Sequence, residues 1–419
     1  MSNINSSRLF TASCMALTVT SMTFAIRANM LDPLGEKFNL TNSELGWIAG
    51  MAFFGFPVAT TLGGFFVDQV GMKRLINVAF GAHLLGLVLT IFAGGFWGLF
   101  ISTFLVGFAN GMVEAVCNPL VAAMYPNNKT AMLNKFHVWF PGGIVIGSLL
   151  AAAMNNAGIG WQVQVGIILI PTLIYGWMFY GQNFPQTERV ESGVSTSEMF
   201  SAVASPLFIF MMVCMFLTAN TELSTTQWID KLLGHAGANP LLILALVTGL
   251  MAVGRYFGEP IIHRLNPMGV LWLSSIFAVV GMWLLRTTEG GMLYAAAVIF
   301  ALGVCYFWPT MLGFVNENIP KSGALGLSLM GGAGMFGNWL YQTFFIGPKL
   351  DIEITRITED IARQKDVAIA AGKPFTEVSK ETIELMAGQS VLASINILPL
   401  ILVVAFGGLW FWMRGKAKN

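Results

Sequence analysis

Charge is scarce in this chain. Lys, Arg, Asp and Glu make up only 10% of its 419 residues, where a soluble domain carries roughly 25%. Hydrophobic residues make up 55%, too many for a protein of this size to keep out of water within a polar surface. The net charge is +1, which removes any electrostatic case for nucleic acid or an acidic macromolecular partner. Cysteine is equally sparse. Cys14, Cys117, Cys214 and Cys305 all fall inside apolar stretches, with no CxxC or Cys/His cluster. Neither a disulfide framework nor a metal site is indicated, and the four read as small buried hydrophobes. There is no GxxxxGK[S/T] loop, and no GxSxG elbow, HExxH or kinase signature in a fitting context. A P-loop nucleotide-driven machine is thereby excluded, and no enzyme activity or cofactor is expected.

Apolar length is what the chain has in abundance. A membrane-spanning helix needs about 20 mostly apolar residues, and twelve such runs follow one another: 9–31, 44–67, 75–94, 97–123, 132–155, 161–181, 205–228, 239–260, 268–286, 291–315, 323–346 and 389–412. The first is too long for a signal peptide, carries Arg27 and leads straight into the second, so it reads as an uncleaved first span. The expected fold is all-α and integral to the membrane, with twelve transmembrane helices in two pseudo-symmetric six-helix bundles. Residues 1–181 form the first bundle, 182–204 a cytoplasmic linker, and 205–419 the second bundle, with an extracytoplasmic helical insert at 347–388. In that insert Ile354, Ile357 and Ile361 recur at helical spacing before a break at Gly372-Lys373-Pro374, the pattern of an amphipathic cap. With the N-terminus inside, the inner face collects Arg8, Lys73, Arg74, Lys129, Lys135, Arg189, Arg264, Lys321, Arg414, Lys416 and Lys418. The short outer loops hold only Lys37, Lys231 and Arg286. That bias predicts a multi-pass protein of the cell (inner) membrane with both termini cytoplasmic. The halves also echo each other: Pro119 and Pro309 sit at similar depth in the fourth and tenth runs, and Pro126 and Pro320 follow at similar spacing.

After the second run comes Gly64-Phe65-Phe66-Val67-Asp68-Gln69-Val70-Gly71-Met72-Lys73-Arg74, which resembles the GxxxDxxGxRK-like loop signature of the major facilitator superfamily. Glycines there permit a tight turn, and Asp68 can pair with basic residues such as Lys73 and Arg74 or cap a helix end. The run Gly107-Phe108-Ala109-Asn110-Gly111-Met112-Val113-Glu114-Ala115-Val116-Cys117-Asn118-Pro119-Leu120, with Leu133-Asn134-Lys135-Phe136-His137 after it, is similar to the fucose–galactose–proton symporter branch of that superfamily. Asn220-Thr221-Glu222 with Trp228, and Trp308-Pro309-Thr310, fit the same branch. The resemblance covers nearly all of the membrane part and none of the insert. It implies alternating access, a sugar-like solute, proton symport and a sugar- and proton-handling role for Glu114. The branch's helix-one carboxylate is missing, and Arg27 stands about where it would be.

Residue physics singles out the same positions. Gly107, Gly111, Glu114 and Asn118 share one helical face, and an acid in a spanning helix is tolerated only beside a cavity or a partner. A structural carboxylate bonded to a neighbouring helix is the plainer reading of Glu114. Arg27 lies about 27 Å above the start of its helix at ~1.5 Å per residue, and Glu222 reaches nearly the same depth in the seventh run. This predicts an Arg27–Glu222 pair that latches the outer side. Two alternatives stand beside it: Arg27 binding an anionic solute, and a structural ion pair. His137 is a candidate to tune Glu114 or bind hydroxyls, and His83 reads as structural. Trp47, Trp139, Trp228 and Trp308 are candidates to stack on a sugar face, with Trp139 and Trp308 the preferred pair. The expected solute contacts are therefore Glu114, Asn118, Asn134, His137, Trp139, Arg27 and Trp308, with gating by Asp68, Lys73, Arg74, Arg27 and Glu222. A monomer in a lipid bilayer is expected. The rival readings are a carrier or exchanger of an acidic-sugar anion using Arg27, and a non-transporting nutrient sensor built on the same fold.

Overall fold

A computed structural model describes residues 4–40 and 42–416. No strand occurs among them, and ten helices are long and apolar enough to cross a membrane. We number the columns α1 Ser6–Phe38, α2 Asn42–Val70, α3 Met72–Ile91, α4 Phe96–Met124, α5 Lys129–Asn156, α6 Trp161–Phe179, α7 Pro206–Gln227, α8 Pro240–Tyr256, α9 Glu259–Thr287, α10 Met292–Asn318, α11 Gly323–Tyr341 and α12 Lys380–Arg414. The remaining two, α8 and α11, complete the twelve. The first is slightly short. The second carries many glycines, with Asn338 near its end, which lowers its hydropathy without breaking the helix.

Several columns are interrupted, and the sequence explains where. The ninth run was expected at 268–286, but α9 begins with a short helical piece at Glu259 and breaks at Asn266, which adopts φ 57 before Pro267. Proline pushes its predecessor out of the helical region, so the break falls there and the apolar span follows. α8 accordingly stops at Tyr256, short of the expected 260. In α7 the residues Asn220–Ser224 form one π-helical turn, a widening that often accompanies a functional site. At the far end, α12 begins at Lys380 rather than 389, because its first turns are polar and sit outside the apolar run. The insert is thus a helix over Gly347–Ala370 and a non-helical stretch around Gly372, whose φ of 63 suits only glycine well. Ile357 is buried and Ile354 and Ile361 pack partly buried, as their spacing required.

The proline echo has a structural counterpart. α4 ends at Tyr125 (φ −130, ψ 62) before Pro126, and α10 ends at Ile319 (φ −130, ψ 55) before Pro320. Two helices six columns apart therefore stop in the same backbone geometry.

Packing within the first six columns centres on α4, which lies against α2 and α3, while α1 lies against α5 and α6. The glycines of the α4 stripe divide from its polar residues. Gly107 and Gly111 face the backbone of Ala52 and Phe56, where a side chain would collide with α2. Among the last six, α9 packs on α10 and α12, and α7 on α11. Across the two sets, α2 meets α11, and α5 meets both α8 and α10.

Candidate functional site

Where the two sets of helices meet, a cavity is lined by Glu114, His137 and Phe140 from α4 and α5, and by Glu222, Leu223, Arg255, Trp308 and Met335 from α7, α8, α10 and α11. Its polar groups form one connected system. The Asn118 amide donates to Glu114 Oε2 at 2.5 Å, and its carbonyl oxygen lies 3.0 Å from His137 Nε2. His137 Nε2 is 3.8 Å from the Glu114 carboxylate. On the other side Arg255, only 1% exposed, donates from Nε to the Cys305 carbonyl at 2.6 Å and from Nη1 to the His137 carbonyl at 3.1 Å. Its Nη2 lies 3.4 Å from Glu222 Oε1. The His137 contact crosses from one set of helices to the other. Two carboxylates thus share a cavity with one guanidinium. Removing one member of a buried ion pair strands the other, at a cost of about 3–5 kcal/mol.

Sequence reasoning had brought Glu114, Asn118, His137, Trp308 and Glu222 forward, and the structure gathers them here. Trp308 presents its indole to the cavity, and its Nε1 has no hydrogen-bond partner among the described residues. Asn118 acts one step back, as the link between His137 and Glu114.

Other expectations need correction. Trp139 is 41% exposed and does not line the cavity; its neighbour Phe140 does, because one residue along a helix turns the side chain by about 100°. Asn134 is not among the cavity's lining residues and uses its amide N–H on the Thr130 carbonyl and on Thr310 Oγ1 of α10 at 3.3 Å, a contact between the two sets of helices. Trp228 donates to Gln342 at 3.1 Å, and Trp47 is exposed. The expected Arg27–Glu222 pair does not form: Glu222 is taken by Arg255. Arg27 instead lies over the rings of Phe24 and Phe53, its Cζ 4.8 and 5.5 Å from their centroids. Such contacts are worth about 0.5–2 kcal/mol each, less than a buried charge costs to desolvate. Depth arithmetic had placed both residues in the same layer but carried no information on which way each points.

Arg255 was missed as a site residue. It falls within the expected 239–260 span. An arginine inside an apolar run was the available signal.

On the face that carries both termini, a ring of polar contacts joins the two sets of helices and the linker. Asp68 accepts hydrogen bonds from Thr187 and from Arg189 Nε, the latter at 2.5 Å. Lys129 pairs with Glu188 at 2.8 Å and Lys135 with Glu259 at 2.6 Å; Thr130 Oγ1 donates to Glu317 at 2.5 Å. Lys73 and Arg74 are exposed and make no ion pair among the described residues, so the partner of Asp68 is Arg189 from the linker, far off in sequence. His83 bridges Tyr175 at 2.9 Å and Asn110 at 2.8 Å, a structural tie within the first six helices.

Twelve helices around a central charged cavity, with a proline-marked repeat between the halves, are the build of a membrane carrier with its site near the midplane. Residues 9–340 match the family model of the Major Facilitator Superfamily, and the chain belongs to that family. It is similar to the facilitated glucose transporter member 10 of Xenopus laevis, 26% identical over 166 residues, which is 38% of this chain and 29% of that protein. It also resembles the 3-(3-hydroxy-phenyl)propionate transporter of Escherichia coli K12, 24% identical over 286 residues, 64% of this chain and 69% of that one. Its fold is similar to that of FucP in the outward conformation, with a TM-score of 0.69, 16% identity and coverage of 94% of this chain and 98% of that one. The match to the glucose transporter spans under a third of that protein's length.

Proposed function

We propose that this protein is a secondary active transporter that moves a sugar-like solute by alternating access, coupled to one proton carried on Glu114. The observation that carries this reading is the cavity shared by Glu114 and Glu222 against a single Arg255. Arg255 lies 3.4 Å from Glu222, whereas the Glu114 carboxylate accepts from the Asn118 amide and has His137 Nε2 3.8 Å away. A proton on Glu114 balances the cavity's own charges. The indole of Trp308 offers a face for a sugar ring and an N–H for a hydroxyl. Relatives support the solute class: one is named a glucose transporter, and FucP is described as a fucose:proton symporter of E. coli. The basic residues gathered on the face with the termini support a cell-membrane location with both termini cytoplasmic. In this account Asp68 and Arg189 belong to the cytoplasmic gate, the protein works as a monomer, and it has no enzymatic activity.

The test is uptake of labelled monosaccharides into proteoliposomes, with and without an imposed pH gradient. Accumulation that follows the proton gradient is expected. Binding without flux would return the sensor reading, and flux indifferent to the gradient would remove the coupling.

A further inference from the structure

One buried charge has no use in the cavity as described. Arg27 lies in the membrane layer, and no carboxylate pairs with it among the described residues. Its Nη1 is buried without a hydrogen-bond partner. The acid at its depth, Glu222, is held by Arg255. We infer that Arg27 is the group that binds the solute's carboxylate, so that the solute is an acidic sugar rather than a neutral one. This rests on the carrier reading above and names its substrate class.

Three observations point the guanidinium toward the solute path. Thr20, Phe24 and Arg27 follow one another at spacings of four and three, which puts them on one face of α1. On that face the Phe24 ring lies 5.4 Å from Phe53 and 6.0 Å from Phe140, and Phe140 lines the central cavity. Arg27 therefore sits one helical turn beyond the cavity's aromatic wall, away from the face with the termini. Thr20 Oγ1 on the same face is also buried without a partner. Arg27 also borders a second cavity between α1, α3, α4 and α6, whose other linings include Leu87, Thr90, Val106 and Ile168. That cavity holds no carboxylate to neutralise the charge; besides Arg27 its polar lining is the uncharged Thr23, Thr90 and Thr103.

Charge balance makes the same assignment. Arg27 lies outside the cavity's own lining, and once it is counted with Arg255 the two offset ionised Glu114 and Glu222 in the empty carrier. A proton and a neutral sugar would leave one uncompensated positive charge at membrane depth, which is costly. A proton and a carboxylate leave none, so both the empty and the loaded carrier can cross neutral. A carboxylate also suits one guanidinium, which can offer it two parallel N–H donors. A phosphate dianion would need a second cation, and Arg255 is committed.

The experiment compares D-galacturonate and D-glucuronate with D-galactose, D-glucose and L-fucose. It reads thermal stabilisation of the purified protein and counterflow exchange in proteoliposomes. The uronates should bind at least tenfold more tightly than the neutral sugars. Arg27→Gln should lose about 10- to 100-fold of uronate affinity, the scale of one charge-assisted contact, while Arg27→Lys, which keeps the charge and guards against misfolding, retains part of it. Neutral sugars binding as well as uronates in the unaltered protein would overturn the inference and leave the carrier reading standing. Binding and exchange of neither class would overturn both.

Discussion

The two halves of this protein are joined by polar contacts of two kinds. At the centre, buried Arg255 crosses from the second half to the His137 carbonyl of the first while it holds Glu222 and the Cys305 carbonyl of its own half. On the face with the termini, the pairs range from part-buried Lys129–Glu188 through Lys135–Glu259 to exposed Lys321–Glu198. Water can replace the second kind at little cost, since exposed pairs are worth about 0–1 kcal/mol. It cannot replace the first, where a stranded charge stays buried. A protein that must open and close one face repeatedly needs many weak contacts there and a few strong ones at the centre. On this account the ring sets the gate, and the central network senses proton and solute.

That contrast can be broken most severely at Arg255. Arg255→Gln should cost about 3–5 kcal/mol of stability, seen as a large fall in the melting temperature in detergent. Pairing it with Glu222→Gln should recover much of the loss, because both charges then disappear together. Simple additivity in that double-mutant cycle would mean the two residues are not coupled.

A smaller effect is expected at Asp68, the most buried carboxylate of the ring. Asp68→Asn removes the charge facing Arg189 and should shift the gate by about 1–2 kcal/mol, between the exposed and buried cases. Spectroscopic probes across the gate should report faster opening while solute affinity changes little. A sharp fall in affinity with normal gate motion would place Asp68 in the wrong role.

The smallest effect belongs to the exposed pair Lys321–Glu198, with side chains 60% and 48% accessible. Hydrogen bonding by Lys321 and by the Ser195 helix cap holds the Glu198 carboxyl down at about 2. A carboxyl depressed in the folded state stabilises above its unfolded value of about 4.3, and that contribution disappears as pH falls toward 2. Solvent screening should keep it slight. Titrating the melting temperature from pH 5 to pH 2 in the native protein and in Lys321→Ala should give nearly parallel curves. A wide divergence would mean the ring carries more than a surface pair's weight.

What could be read in advance depended on how local the determining physics was. The apolar runs, Glu114, His137 and the insert's isoleucine stripe were legible because burial and helical period are properties of a short stretch. Rise per residue is additive, so the position of Glu222 along its helix could be reckoned in advance. The partner of Glu222 could not, since azimuth depends on the π turn at Asn220–Ser224 and on α8 packing alongside, neither of which leaves a mark in composition. Arg189 as the partner of Asp68 was hidden for the same reason: the two lie 121 residues apart. The start of α12 at Lys380 went unseen because a polar amphipathic turn does not register as a membrane run.

The central claim is that Glu114 carries the coupled proton, and one comparison tests it. Reconstituted protein and its Glu114→Gln variant would be assayed for solute accumulation driven by an imposed pH gradient and for counterflow exchange without one. Glutamine keeps the size and the contact to Asn118 while removing the titratable proton. The account predicts that gradient-driven accumulation collapses in the variant while counterflow persists. Accumulation equal to that of the unaltered protein would contradict it.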